Sequence, residues 1–296
     1  MFLIFATKVL TMIQKRSFND PKKELHVTAL LELLGIPYTG SGPQCLAFCY
    51  DKSLIRGIAK ETLVPVPEGI FIKPGDDIYE LPFGFPVLVK PNFGDSSFGI
   101  TQRSVANTIE ELVNAVVEIR EKFGYEKPIL VEELLTGKDI TIGIIGNLPE
   151  PYIVLPVIEE DYSMLPPELP RICGYEAKWL PDSPYWNIKS VPANLPEATE
   201  KFVVECCLKL FERLDCRDYC RFDWRLDAAG NPKLLEVNPN PGWCWDGHMA
   251  KMARLANMSY SDMLGHIIRA AEIRLGIQPS SPAQNGKKSA STNASQ

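Results

Sequence analysis

The chain has 296 residues, 45% of them hydrophobic and 23% charged, a composition typical of a globular protein with roughly two domains or subdomains. The formal net charge of −6 excludes a global electrostatic basis for nucleic-acid binding. No run approaches the roughly 20 apolar residues that span a bilayer, and the eight scattered cysteines lack zinc-site spacing, which indicates buried thiols in a reducing cytoplasm.

The N-terminal part contains two predicted helices. Residues 1–8 are apolar but lack a basic leader and a cleavage signal, so we interpret them as a strand or ragged start rather than a signal peptide. A helix is predicted over residues 24–34, ended by Gly35. Asp51 and Lys52 begin a second helical stretch.

The middle of the chain combines predicted strands with one amphipathic helix. Thr108 can cap that helix, and Gly124 can end it. A Gly/Ser loop at 94–99 follows the first strand. Residues 158–190 are rich in Pro, Tyr and Asp, and we interpret them as a long functional loop. The extended segments are predicted at 85–90, 100–105, 128–133 and 139–145.

The C-terminal half contains a predicted hairpin between two helices. From residue 278 onward the sequence lacks a hydrophobic pattern, so a disordered tail is expected. The predicted elements are a helix at 197–214, hairpin strands at 220–226 and 233–238, and a closing helix at 258–275.

The hairpin carries the strongest chemical signal. Because side chains alternate between the faces of a strand, Arg221, Asp223 and Arg225 share one face. Glu236 and Asn238 share one face of the partner strand. Two carboxylates, an amide oxygen and an arginine would therefore converge, and these oxygen ligands suit Mg²⁺. The opposite face would carry Phe222, Trp224, Leu235 and Val237. A half-exposed sheet with ordinary ion pairs is the alternative.

Cations and hydroxyls elsewhere could bind phosphate. Ser96 and Ser97 lie in the Gly/Ser loop, which can present hydroxyl and amide groups but is not a Walker A loop, because no Gly-Lys-Ser/Thr opens a helix. An ordinary hairpin loop is the alternative. Lys52, Lys90 and Lys178 are the candidate cations.

Histidine-based nucleophilic catalysis has little support. His26, His248 and His266 lie in unrelated segments, so a Ser/His/Asp or Cys/His arrangement is disfavoured. His248 could line a substrate pocket, although a structural role is the favoured interpretation.

In this order and spacing, the motifs resemble those of D-alanine–D-alanine ligases from about residue 25 to 277. The matching segments are 35–42, 51–52, 87–91, 96–99, 131–133, 137–139, 175–178, 221–223 and 236–238. The resemblance implies an α+β, ATP-grasp fold in which two lobes clamp ATP. It also implies a division into an N-terminal remnant at 1–42, a small lobe at 43–135, a large lobe with the metal site at 136–277 and a tail at 278–296.

The resemblance implies an ATP-dependent carboxylate–amine ligase that acts through an acyl phosphate, and it assigns residue roles. Nucleotide phosphates would be bound by Lys52, Lys90, Ser96 and Ser97. The adenine hinge would be Glu132, Glu133, Leu134 and Leu135, with Asp139 at the ribose. The metal ligands would be Asp223, Glu236 and Asn238. Arg221, Lys178 and Ser96 would serve catalysis, and Gly242 and Trp243 would contact substrate.

The implied cofactors are ATP and two Mg²⁺ ions, with Mn²⁺ as an alternative metal. The expected partners are small carboxylate and amine substrates, amino acids among them. We expect a cytoplasmic protein that binds neither nucleic acid nor membrane, and a homodimer is allowed.

Three departures from the family pattern concern the substrates. Residues 1–24 replace the domain that grips the first substrate, and Trp179 replaces the usual Tyr. The segment 243–248 replaces a small hydroxyl-bearing one. A non-catalytic nucleotide-binding protein is therefore the alternative function, and a third hypothesis is completion of the N-terminus by a partner chain or an upstream region.

Overall fold

The computed structural model describes residues 24–76, 80–94, 97 and 99–277. The predictions for residues 1–23, Ser96 and the tail from 278 lie outside these residues. The helices are α1 (Glu24–Leu33), α2 (Pro43–Cys49), α3 (Lys52–Glu61), α4 (Ile109–Phe123), α5 (Tyr175–Trp179), α6 (Glu197–Arg213), α7 (His248–Leu255) and α8 (Tyr260–Arg274).

The strands form two antiparallel sheets. The smaller sheet has the order β1-β4-β2-β3, and the larger runs β10-β9-β5-β7-β8 with β6 paired to β5. The strands are β1 (Gly69–Ile72), β2 (Val87–Pro91), β3 (Val105–Ala106), β4 (Ile129–Glu133), β5 (Asp139–Ile145), β6 (Ile153–Val154), β7 (Ile158–Asp161), β8 (Lys189–Pro192), β9 (Tyr219–Leu226) and β10 (Pro232–Asn238).

Helix α4 covers the smaller sheet. The Thr108 hydroxyl accepts a hydrogen bond from the Glu111 amide at its start, and Gly124 ends it at φ +106°, a left-handed conformation that favours glycine. Leu112, Val116 and Ile119 recur at helical spacing and pack into one core with the strands. The predicted helix and its caps are confirmed.

The larger sheet has its core on the face opposite the polar hairpin residues. Along β9, Cys220, Phe222 and Trp224 are buried against α6, and the Trp224 indole N–H donates to Cys207 Sγ at 3.3 Å. This alternation confirms the predicted direction of Phe222 and Trp224, and it turns the intervening charged side chains toward the other face.

Helices α2 and α3 pack on the larger sheet. Cys45 of α2 and Ile55 of α3 belong to the same buried cluster as Phe222. These helices precede the smaller sheet in sequence but share the core of the larger one. The proposed division into lobes at residues 42 and 135 stays a prediction.

Several local expectations need correction. The segment 158–190 is not one long loop, since it contains β7, α5 and a 3-10 turn at Pro184–Asn187 and ends in β8. Residues 100–105 include a 3-10 turn at Gln102–Ser104 instead of one extended run. Helices α2 and α7, of seven and eight residues, were not predicted because they are too short to establish a clear period.

Helix α7 approaches the larger sheet closely at Gly143. A Cβ on Gly143 would lie 2.7 Å from Met249 Sδ, so a larger residue there would have to displace the Met249 side chain. The contact places the N-terminal residue of α7, His248, beside the sheet face that carries the polar residues. Over the ranges described here, no helix has the length and apolarity needed to cross a membrane.

Candidate functional site

A cleft of about 860 Å³, open to solvent, lies between the two sheets. Its ionisable lining comes from both sheets and from three helices, and includes Lys52, Lys90, Asp139, Glu160, Lys178, Arg221, Asp223, Arg225, Glu236 and His248. Most of the charged residues singled out in the sequence therefore meet in one place.

The polar hairpin faces this cleft in the expected register. Glu236 is paired with Asp223, and Asn238 with Arg221, across β10 and β9. A β-bulge between Leu234 and Glu236 inserts Leu235 without a partner. Leu235 consequently lines the cleft, so its predicted position on the opposite face is wrong, while Leu234 is buried.

Arg221 and Asp223 form a bidentate ion pair. Arg221 Nε donates to Asp223 Oδ1 at 2.9 Å, and an Nη donates to Oδ2 at 2.6 Å. Burial by itself would raise the pKa of Asp223, but the charge and hydrogen bonds of Arg221 outweigh it and lower that pKa. The Thr141 hydroxyl also donates to Oδ1 at 3.0 Å. Asp223 is therefore held ionised and in a fixed orientation.

Thr141 was not among the candidate site residues, although the sequence contained a signal for it. It lies two residues after Asp139 on β5, so the strand alternation places both on the cleft face. The register that sets Thr141 opposite Asp223 depends on pairing between distant segments.

Lys52 is positioned by the start of α3. Asp51 caps the helix by accepting hydrogen bonds from the backbone amides of Ser53 and Leu54. The Lys52 ammonium donates to the Gly94 carbonyl at 2.5 Å and lies 4.0 Å from Glu236 Oε2. It therefore joins the Gly/Ser loop to the carboxylates of the hairpin.

Lys90 and Glu132 form part of a buried charge cluster. Glu132 on β4 pairs with Lys90 on β2 and accepts a hydrogen bond from Arg56 Nη at 2.5 Å. Lys90 lines the cleft, whereas Glu132 lies behind it with its side chain 2% exposed. The carboxylate of this predicted hinge residue thus makes structural ion pairs.

Asp139 is fixed at the floor of the cleft. Tyr162 donates its hydroxyl hydrogen to Asp139 Oδ2, and Arg225 donates to the same oxygen at 3.2 Å. Burial raises the pKa of Asp139 in spite of the nearby Arg225 charge. The predicted ribose contact stays a prediction.

A chain of hydrogen bonds connects α5 to the Gly/Ser loop. The Lys178 ammonium donates to Ser97 Oγ at 2.8 Å, and the Ser97 hydroxyl donates to the Cys173 carbonyl at 2.9 Å. The Tyr175 amide donates to the Ile100 carbonyl at 2.7 Å. The segment that carries Lys178 is therefore closed down over the cleft.

Other predicted site residues lie outside this lining. Glu133 accepts a hydrogen bond from Lys233 at 2.5 Å. The Asn238 side-chain oxygen accepts one from the Asn240 amide at 3.0 Å. Trp243 packs edge-on against Tyr219, with ring centroids 5.2 Å apart. The residues not brought to the cleft surface are Glu132, Glu133, Leu134, Leu135, Asn238, Gly242 and Trp243.

The oxygen ligands at the hairpin fit a hard divalent cation that is also coordinated by phosphate oxygens. Among the residues that the structure describes, no group of three or more His, Cys, Asp or Glu side chains forms a closed metal cage. Mg²⁺ typically uses one or two carboxylates together with substrate phosphates and water. Asp223 and Glu236 supply such carboxylates, and each carboxylate retains lone pairs beyond those used by its present donors.

Glu160 and His248 form a pair that sequence reasoning did not identify. His248 Nε2 lies 2.9 Å from Glu160 Oε1, and both residues line the cleft. They are separated by 88 positions in the sequence and come from β7 and α7, so no local pattern relates them.

Comparison with known proteins agrees with this geometry. Residues 76–269 match the family model for the D-ala D-ala ligase C-terminus. The D-alanine–D-alanine ligase of Halalkalibacterium halodurans is 31% identical over 242 residues, which cover 80% of this chain and 74% of the relative. An uncharacterized protein of Sinorhizobium fredii is 32% identical over 249 residues, covering 84% of this chain and 70% of that protein.

Solved structures show the same architecture. The D-alanine–D-alanine ligase of Bacillus anthracis complexed with ATP has a TM-score of 0.66 and 25% identity, covering 84% of this chain and 74% of that one. A second structure of the same ligase gives a TM-score of 0.67 at 24% identity, over 90% and 84% of the two chains, and supports the fold alone.

Proposed function

Because this chain belongs to the D-alanine–D-alanine ligase family of ATP-grasp enzymes that form C–N bonds, we propose that it joins a small carboxylate to an amine with cleavage of ATP to ADP and phosphate. The reaction would pass through an acyl phosphate. The proposed substrates are amino acids or related small molecules, and the departures at Trp179 and residues 243–248 leave the choice among them to experiment.

The observation that carries this proposal is the pairing of Asp223 with Glu236 in a cleft lined by cations. Both carboxylates face the same side of the hairpin, and Lys52 and Arg221 lie next to them. A site for a metal-bound polyphosphate needs this combination of oxygen ligands and positive charge. An ordinary surface sheet would not need carboxylates and cations to converge in one cleft.

The charged residues would each act on a different part of the substrates. Lys52 and Lys90 would bind phosphate oxygens of ATP, and Asp223 and Glu236 would hold Mg²⁺ or Mn²⁺. When bound, the metal supplies charge that offsets the negative phosphates. Arg221 would stabilise the oxyanion that forms when the amine attacks the acyl carbonyl. Asn238 lies outside the present cleft lining but follows Glu236 on the same face of β10, and in this proposal it completes the metal ligands.

The closed segment at α5 would protect the reactive intermediate. Water hydrolyses an acyl phosphate, so productive ligation needs a cleft closed to solvent. The hydrogen bonds from Lys178 to Ser97 and from Tyr175 to Ile100 hold this segment across the cleft. Opening it would admit ATP, and closing it would begin the reaction.

The test is a screen of D- and L-amino acids and short-chain carboxylates for ADP release in the presence of ATP and Mg²⁺. Hydroxylamine would serve as the amine, because it traps an acyl phosphate as a hydroxamate, which iron(III) converts to a coloured complex. At least one carboxylate should give a hydroxamate, and Glu236→Ala should remove it. Glu205→Gln, an exposed change on α6, is the matched control and should keep the wild-type rate.

The second candidate is a nucleotide-binding protein without turnover. Both oxygens of Asp223 are already engaged by Arg221, which favours a static ion pair over a working metal ligand. Calorimetry that detects ATP binding, together with no hydroxamate from any carboxylate, would support this candidate and refute the ligase.

A further inference from the structure

The Glu160–His248 pair lines the cleft beside Asp139, and neither residue has a role in the proposed nucleotide and metal contacts. Glu236 lies on β10 and Glu160 on β7, three strands away across the sheet. With strands spaced by about 4.8 Å, these two positions are separated by about 14 Å. The pair is thus set apart from Glu236, with Asp223 on β9 between them, and it opens into the same cleft.

A network of hydrogen bonds holds the Glu160–His248 pair in place. The Glu160 side chain is 10% exposed and accepts hydrogen bonds from the Ser190 hydroxyl at 3.0 and 3.2 Å as well as from His248. Lys251 in turn donates to Ser190 Oγ at 3.1 Å. Burial by itself would raise the pKa of Glu160, but the hydrogen bonds from His248 and Ser190 lower it. The carboxylate is therefore ionised and fixed.

This arrangement determines the tautomer of His248. An ionised carboxylate can only accept, so Nε2 of His248 carries the hydrogen that points to Glu160. Nδ1 is then left as a proton acceptor in the neutral ring. An imidazole oriented by a buried carboxylate is a common arrangement for a general base. The other charged group that acts on it from the sheet is Asp223 of β9.

The proposed reaction needs such a base. An amino acid reaches the enzyme as an ammonium ion, which has no lone pair and cannot attack a carbonyl. The lysines and arginines of the cleft cannot accept its proton. Asp139 and Asp223 are engaged by Arg225 and Arg221. Of the ionisable groups in this lining, His248 has an acceptor atom that no assigned role uses.

We infer that His248, oriented by Glu160, removes the proton from the ammonium form of the amine substrate, an inference that rests on the proposed ligase function. His248 Nδ1 takes one N–H proton, which leaves a neutral amine. The amine nitrogen forms the C–N bond as the bond between the carbonyl carbon and the phosphate oxygen breaks. Phosphate leaves with the second N–H proton, and His248 returns the first proton to solvent.

The test compares two nucleophiles in one protein. Hydroxylamine is largely unprotonated at neutral pH and needs no base, whereas an amino acid does. The donor is the carboxylate that gives the most hydroxamate in the screen above, and D- and L-amino acids are the amine probes. The variants are His248→Gln and Glu160→Gln, with His266→Gln on the exposed side of α8 as the matched control.

His248→Gln should lower kcat/KM for the amino-acid amine by about 100-fold, the usual contribution of a general base. Its rate with hydroxylamine should change little, and Glu160→Gln should follow the same pattern to a smaller extent. Equal losses with both nucleophiles would mean a structural role, and no loss with either would mean no role; each result overturns the inference. If wild type forms no hydroxamate at all, the ligase proposal itself fails.

Discussion

Replacing Glu132 by glutamine should destabilise the fold strongly. The Glu132 carboxylate is the shared partner of Arg56 from α3 and Lys90 from β2, and these two side chains are 9% and 4% exposed. The amide of glutamine keeps the shape of the side chain but leaves two buried cations without a counter-charge. Removing one partner of a buried ion pair typically costs about 3–5 kcal/mol.

That loss is large enough to measure by thermal and urea unfolding followed by circular dichroism. In a chain of this size it should lower Tm by on the order of 10 °C. Glu68→Gln is the matched control, because Glu68 lies 4.0 Å from Lys60 with both side chains more than half exposed. Such a surface pair contributes at most about 1 kcal/mol.

The alternative is that Glu132 acts mainly in the adenine hinge, as the family resemblance implies. In that case Glu132→Gln would raise the Kd for ATP while Tm stayed close to that of Glu68→Gln. That combination would refute the reasoning from buried charge. A large loss of stability with ATP affinity retained after refolding would support it.

Two further predictions concern ionisable groups. Because the pKa of Asp223 is lowered in the folded protein, its stabilising contribution is complete above the ordinary aspartate value of about 4 and is lost as the pH falls below it. Acidification should therefore lower the Tm of wild type more than that of Asp223→Asn; parallel curves would contradict this. Among the eight cysteines Cys244 is the exposed one, whereas burial raises the pKa of Cys173 to about 12. Ellman's reagent should modify Cys244 first, and a fast phase that survives Cys244→Ser would contradict this order of reactivity.

The longer helices and the polar hairpin could be predicted because their signals are local. Thr108 and Gly124 mark the ends of α4 through the hydrogen-bonding and conformational preferences of single residues. Which side chains lie on each face of β9 follows from the two-residue alternation along any strand. Arg221, Asp223 and Glu236 could thus be placed on one surface without knowledge of the fold.

The contacts that give this surface its chemistry could not be predicted in the same way. The bulge that turns Leu235 into the cleft arises from pairing between two strands, and a period of two residues does not reveal it. The Lys90–Glu132–Arg56 cluster joins three elements that are distant in sequence. No local pattern in the sequence relates these three charges to one another.

The sequence by itself determined the order of the longer elements, the carboxylate-bearing hairpin and the family, because these depend on local periodicity and on motif order. Only the tertiary structure decided that α2 and α3 share the core of the larger sheet, and that Glu160 meets His248. The physical reason is that burial and ion pairing depend on which distant segments pack together. That packing is set by the whole core and not by any one segment.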